Sequence, residues 1–313
     1  MDRVLIAGVE TVVGANLAAS LAEECQVLGL SFSGPLPLAA CETVACSPTD
    51  ADTIRNRAAA LKPEWFVFCG AAAVSQWGLN STKGLEKSLP EVTRVLAAAS
   101  RDLNSRFAMI SSDAVFTGPW MFHAEGCPGL CPSPEAAAIR EAETVALRQC
   151  PDALVVRTNC YGWSPAAAGP GWIETILADL EAGKAGPFDC VRHSTPILAT
   201  ELAAIVKQAC DANLAGTYHV AGAERISPAR FIDQLADAFD LPAPRSKAAA
   251  TLSERPVGFG CGETSLQTRK IRSALGIAMP LVQSGVLRLR AQKINGYCDM
   301  LASPGRSIRD KVA

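Results

Sequence analysis

Tyrosine is scarce in this chain: there are three, and the first is Tyr161. Lysine is absent between Lys87 and Lys184. That long middle stretch therefore cannot place a phenol beside an ammonium group, the pairing that makes a phenol of pKa about 10 useful for proton transfer. Charge of one sign is missing too. A formal net charge of −2 with no run of like charges excludes nucleic acid and anionic membrane as expected partners. No apolar run reaches about 18 residues, so no membrane span is expected. The N-terminus, Met1-Asp2-Arg3-Val4-Leu5-Ile6-Ala7-Gly8, reads straight into a strand and predicts no cleavable signal.

What is present is apolar and cysteine-rich. Hydrophobic residues make up 49% of 313 positions, ample for a buried core. Twelve cysteines are scattered without any Cys-x-x-Cys pair or paired zinc spacing. Cys127-x-x-x-Cys131 is the closest pair, and no metal site is expected there or elsewhere. Cys69 and Cys160 sit in apolar runs, where a thiol behaves as a small hydrophobe. Reduced thiols predict a cytoplasmic protein.

Short apolar runs at Val4 to Gly8, Gln26 to Ser31, Trp65 to Gly70, Phe107 to Ser112 and Ala153 to Thr158 have strand length, and most are followed by a helical period. This alternation predicts an α/β fold, a Rossmann-like doubly wound parallel sheet covered by helices. Thr49 or Asp50 can cap a helix that Pro63 stops, and Ser133-Pro134-Glu135 is a helix start. After Tyr161 the pattern loosens. A helix is expected from Trp172 to Lys184, a strand from Gly216 to Gly222, and a helix opened by Ser227-Pro228 with Phe231, Leu235 and Phe239 on one face. Residues 1–162 read as the nucleotide-binding domain. Residues 163–313 read as a smaller C-terminal substrate region interleaved with the last sheet strands.

Gly8-Val9-Glu10-Thr11-Val12-Val13-Gly14 lies between a strand and a helix, where a dinucleotide fold places its phosphate loop. Gly8, Thr11, Val12, Val13 and Gly14 are the expected cofactor contacts, joined by Ala71 and Ala72 after the next main strand. Thr11 replaces the middle glycine of Gly-x-x-Gly-x-x-Gly. If its backbone were forced to positive φ, the strain would be roughly 1–2 kcal/mol, and its side chain would crowd the pyrophosphate and weaken cofactor binding. Leu30-Ser31-Phe32-Ser33 carries neither an acid for a ribose 2′-hydroxyl nor an arginine for a 2′-phosphate, so NAD and NADP are not separated.

Ile110-Ser111-Ser112-Asp113-Ala114-Val115-Phe116-Thr117-Gly118 resembles the Ser-Thr-Asp-Tyr-Val-Phe-x-Gly segment of extended short-chain dehydrogenases of the dTDP-4-dehydrorhamnose reductase type. Cys69-Gly70-Ala71-Ala72-Ala73, Arg157-Thr158-Asn159-Cys160-Tyr161-Gly162, Thr195-Pro196, and Arg255-Pro256 extend the resemblance over nearly the whole chain. The resemblance implies NADP or NAD as cofactor, a nucleotide sugar as ligand, and reduction of a 4-keto sugar. One branch of the family, the regulatory subunit of methionine adenosyltransferase, implies a protein partner instead. The family's catalytic Ser/Thr corresponds to Ser112, with Asp113 beside it. Its Tyr-x-x-x-Lys pair falls on Glu135 and Ile139 counting back from Arg157, or on Ala136 and Arg140 counting forward from Ser112.

The expectation is thus a nucleotide or nucleotide-sugar binding protein with lost or impaired reductase chemistry. The alternatives are an active reductase or epimerase using a relocated acid such as Tyr161, and a structural subunit. His123, Glu125 and Arg255 are the expected substrate contacts. Glu135 is most simply an acid at the positive end of its helix.

Overall fold

A computed structural model describes residues 1–78, 85–184, 188–242 and 259–302. The chain runs β1 (Arg3–Ala7), α1 (Val12–Leu21), β2 (Gln26–Ser31), β3 (Glu42–Ala45), α2 (Ala51–Leu61), β4 (Trp65–Phe68), α3 (Leu85–Asp102), β5 (Arg106–Ser112), α4 (Pro134–Gln149) and β6 (Leu154–Thr158). It continues through β7 (Cys160–Tyr161), α5 (Trp172–Glu181), β8 (Ile197–Leu198), α6 (Ala199–Asp211), β9 (Gly216–His219), α7 (Pro228–Ala238), α8 (Arg269–Leu275), α9 (Val282–Ile294) and α10 (Tyr297–Met300).

Seven strands form one sheet in the order β3-β2-β1-β4-β5-β6-β9, and every pairing is parallel. Strands covered on both faces must be apolar throughout rather than alternating. β1 fits: Val4, Leu5 and Ile6 are all fully buried. The chain order reverses beside β1, between β2 and β4, which opens a crevice at the strands' carboxyl ends. One apolar cluster on one sheet face joins Val4, Ile6, Leu17 and Ile110 to Leu202 and Phe231; the other joins Leu5, Phe66, Phe107 and Met109 to Ile139. α6, from the later half of the chain, packs on α1, and β9 extends the same sheet.

Local chemistry sets the boundaries. Asp50 accepts from the Thr53 amide, Ser133 from Ala136 and Ser227 from Arg230, each capping its helix. β1 stops one residue short of Gly8 because Gly8 turns to φ +94°. α5 ends at Glu181, before Lys184, where Gly183 takes φ +64°. Three short strands escape a pattern search. β3 is a polar edge strand, and β7 pairs with β8 in a two-residue parallel ribbon. Cys25, Cys69, Cys131, Cys150, Cys160 and Cys210 are buried, and all twelve thiols are free. Among the described residues, no helix is long and apolar enough to cross a membrane.

Candidate active site

The loop from Gly8 to Gly14 lies at the carboxyl end of β1. A Cβ on Gly8 would run into the Cys69 carbonyl oxygen, and one on Gly14 into the Gly8 carbonyl. Both glycines are therefore required by close backbone packing. Thr11 overturns the strain expected of it. Its φ is −83° and its ψ 154°, an extended conformation that any residue adopts. Its hydroxyl lies 2.9 Å from the Gly8 carbonyl and 3.0 Å from that of Cys69, and accepts from the Gly14 amide at 3.0 Å. Thr11 is the N-cap of α1. The amides of Val12 and Val13 remain as first-turn donors with no intrahelical acceptor, the groups a pyrophosphate would take. Thr11→Ala is expected to lower stability by about 1 kcal/mol, the usual effect of deleting a capping hydroxyl, as read from urea unfolding. An unchanged midpoint would show that the cap carries no stability.

After β4, Ala71 to Ala73 form a single 3₁₀ turn. Ala71 is exposed, whereas Ala72 packs into the core beneath it.

Ser112 is the last residue of β5 and pairs in register with Thr158 of β6. Its hydroxyl accepts from the Ala114 amide at 3.1 Å. Asp113 follows, only 1% exposed. Its Oδ2 accepts from Ser194 Oγ at 2.5 Å and Thr264 Oγ1 at 2.7 Å, which ties the end of β5 to two distant segments. Burial pushes its carboxyl up to about 6 against the opposing pull of those hydroxyls. Among the described residues, Asp113 Oδ1, Thr158 Oγ1 and Asn159 Nδ2 are buried without a partner, although Asn159 Oδ1 accepts from Ser75 Oγ at 2.6 Å. Unmet hydrogen-bonding groups at these strand ends fit a polar ligand.

The raised Asp113 pKa fixes a pH dependence. A carboxyl held more tightly protonated in the folded state contributes stability that is full below its unfolded value, near 4, and is lost as pH rises through 6. Asp113→Asn cannot titrate. Wild-type stability relative to this variant should therefore fall by about 2–3 kcal/mol between pH 4 and pH 7. A constant difference across that window in parallel denaturant titrations would sink the assignment.

α4 carries both registers in which the sequence places a tyrosine–lysine pair. Glu143 is 4% exposed and receives the Arg157 guanidinium on both oxygens, at 2.9 and 2.7 Å, with Ser111 Oγ at 2.6 Å. The Glu143 stripe of α4 therefore faces the ends of β5 and β6. Residues four and eight positions earlier share that stripe, and these are Ile139 and Glu135. Ile139 is fully buried in the apolar core. The alternative stripe carries Ala136, which is fully buried, and Arg140, which donates to the Cys131 carbonyl at 2.8 Å. Neither stripe offers a phenol or an ammonium group.

Tyr161 is not brought to the cleft, contrary to expectation. It is 1% exposed, its ring meets Phe231 edge-on at 4.9 Å, and its hydroxyl occupies space that any side chain on Gly285 of α9 would fill. Burial, followed by the Glu201 charge, raises its phenol well above the usual value. His123 is likewise interior: it stacks on Phe116 at 4.7 Å, with Nδ1 3.2 Å from Cys127 Sγ and Nε2 3.1 Å from the Glu263 carbonyl. Glu125 accepts from the His219 amide at 3.2 Å and presents its own carbonyl to Arg157. Arg255 lies outside the described residues.

Two features were not anticipated. One is the Glu143–Arg157 pair. The other is Glu10, from the phosphate loop, which accepts from the Phe32 amide at the end of β2 at 3.2 Å.

The sequence matches the model for the RmlD substrate binding domain over residues 1–293. The chain belongs to that family. The RmlD-family chain is also 28% identical over 205 residues to the probable low-salt glycan biosynthesis reductase Agl14 of Haloferax volcanii. That match covers 63% of this chain and 66% of the relative, just under two thirds of its length. Among solved structures, the dTDP-4-dehydrorhamnose reductase of Bacillus anthracis in complex with NADP is similar with a TM-score of 0.73 and 17% identity, covering 93% of this chain and 98% of that one. The Bordetella bronchiseptica enzyme WbmH in complex with NAD+ gives 0.73 and 17%, covering 95% and 100%. At such identities these two likenesses establish the RmlD-family fold alone.

Proposed function

We propose that this RmlD-family protein holds a nicotinamide dinucleotide across the carboxyl ends of β1, β4 and β5 with a nucleotide sugar beside Ser112, and that its ketone-reducing chemistry is lost or much reduced. The observation that carries the second half is the buried Ile139 on the Glu143 stripe of α4. A bound nicotinamide would supply hydride. The chain's part is to bind, to orient and to move a proton to the substrate oxygen. Gly8, Thr11, Val12, Val13, Gly14 and Ala71 would hold the dinucleotide, and Ser112 would position the substrate oxygen. The proton step lacks its phenol and its ammonium, which suits a binding or regulatory role in which the ligand signals occupancy to a protein partner.

One observation favours an active enzyme. Asp113, beside Ser112, is held at about 6, within the range of a working general acid. Asp113→Asn, which has no acidic proton to give, should abolish any turnover if this route operates.

Thermal unfolding with NADH, NADPH and dTDP-sugars tests binding directly, since a ligand at a hundred times its Kd raises apparent stability by about 2.7 kcal/mol. Upward shifts with a dinucleotide and a nucleotide sugar are expected. No shift with any of them would leave a structural subunit as the better reading.

A further inference from the structure

The β2 end of the cleft carries an acid that comes from the wrong place in the sequence. In doubly wound nucleotide folds, the carboxylate that takes the ribose 2′-hydroxyl stands at the end of the second strand, roughly 20 residues beyond the glycines. Leu30 to Ser33 supplies none, and Ser31 is occupied in donating to the Gly34 carbonyl at 2.7 Å. Glu10 fills the vacancy from within the phosphate loop. Its Oε2 accepts from the amide of Phe32, the first residue after β2. Its charge also reaches Cys46, just beyond β3, whose thiol is raised by burial first and then by Asp50 and Glu10. One half-buried carboxylate therefore stands where the ends of β1, β2 and β3 converge.

Positive charge is missing from the same region. No lysine or arginine occurs between Arg3 and Arg55, the stretch that builds the loop, β2 and β3. Arg55 itself is paired with Asp52 and Asp102. A 2′-phosphate brought to this strand end would meet Glu10 and no compensating cation from that stretch, whereas a 2′-hydroxyl would meet an acceptor.

We propose that Glu10 is a specificity-determining residue that selects NAD(H) over NADP(H), accepting from the adenosine-ribose 2′-hydroxyl and repelling a 2′-phosphate. The assignment rests on the dinucleotide reading above. Like charges brought together at a binding site are a discriminating device in their own right, and the repulsion is screened by salt.

The test is calorimetric titration of the full chain with NAD+ and with NADP+. NAD+ is expected to bind at least about tenfold more tightly, with the ratio narrowing as salt is raised. Glu10→Gln, which keeps an oxygen for the Phe32 amide, should bring the two within about threefold, chiefly by tightening NADP+. Glu10→Arg should reverse the order. A wild-type ratio near one, a preference for NADP+, or a ratio unmoved by Glu10→Gln overturns the role of Glu10 while leaving the dinucleotide reading standing. Binding of neither cofactor by the folded protein overturns that reading and this one together.

Discussion

Purified protein supplied with NADH or NADPH and a dTDP-4-keto sugar is expected to turn over at least about a hundredfold more slowly than a relative that retains the tyrosine–lysine pair. A positioned general acid contributes roughly 10²–10⁴ in rate, or about 3–5 kcal/mol of barrier. On the Glu143 stripe its position falls on Glu135 and that of the cation on the buried Ile139; in the other register the two fall on Ala136 and Arg140, and neither register carries the pair. Restoring the pair by Glu135→Tyr with Ile139→Lys should raise single-turnover rates, followed by nicotinamide absorbance. Ala136→Tyr with Arg140→Lys should not, because it is the Glu143 stripe that is tied to Ser111 and Arg157. Glu135→Tyr alone should do little, since its proton would stay near pKa 10. Ile139→Lys also places an ammonium in a closed apolar site, so the double variant must first be shown to fold by circular dichroism. A wild-type rate matching an intact relative would falsify the impaired-enzyme reading and turn attention to Asp113.

Glu143→Ala is expected to destabilise the protein by about 3–5 kcal/mol, the usual result of removing one partner from a buried ion pair. The guanidinium of Arg157 would lose both carboxylate oxygens while 8% exposed, keeping only the Glu125 carbonyl at 3.2 Å and the Phe116 ring face at 5.0 Å. Ser111 would lose its acceptor as well. Replacing both partners with apolar residues, Glu143→Leu with Arg157→Met, should cost far less than the sum of the single losses, because no buried charge is then stranded. Urea unfolding of the four proteins in a double-mutant cycle measures this directly. A Glu143→Ala effect below about 1 kcal/mol, the range of exposed pairs, would mean that the pair is hydrated in solution.

The sheet was legible because its strands are apolar on both faces: Gln26 to Ser31 was delimited in full, and Asp50, Ser133 and Ser227 cap as their side chains predict. Local chemistry decided those points. β3, β7 and β8 were not legible, since strands of two to four residues carry too little periodicity. The site was read less well, for a different reason. Where a side chain points is set by neighbours far along the chain. Tyr161 is enclosed by Phe231 and by the absence of a side chain on Gly285, and His123 by Phe116 and Glu263. Thr11 stands where the motif has a glycine, yet its backbone takes a conformation open to any residue. Glu10 reaches the end of β2 from a loop more than twenty residues earlier in the chain, a placement that no local pattern in β2 or its exit encodes.

The scattered thiols make the fold its own clock. Cys69 lies on the floor beneath the phosphate loop, its carbonyl within reach of Thr11, and burial holds its thiol far above the range in which alkylating reagents react. Cys210 sits on α6, remote in sequence, and is likewise pushed up to about 12. Trapping with iodoacetamide, resolved site by site by mass spectrometry, would time how often each part of the molecule opens. Slower labelling of Cys69 than of Cys210 on adding a dinucleotide would record closure around the loop with no reporter attached to the protein.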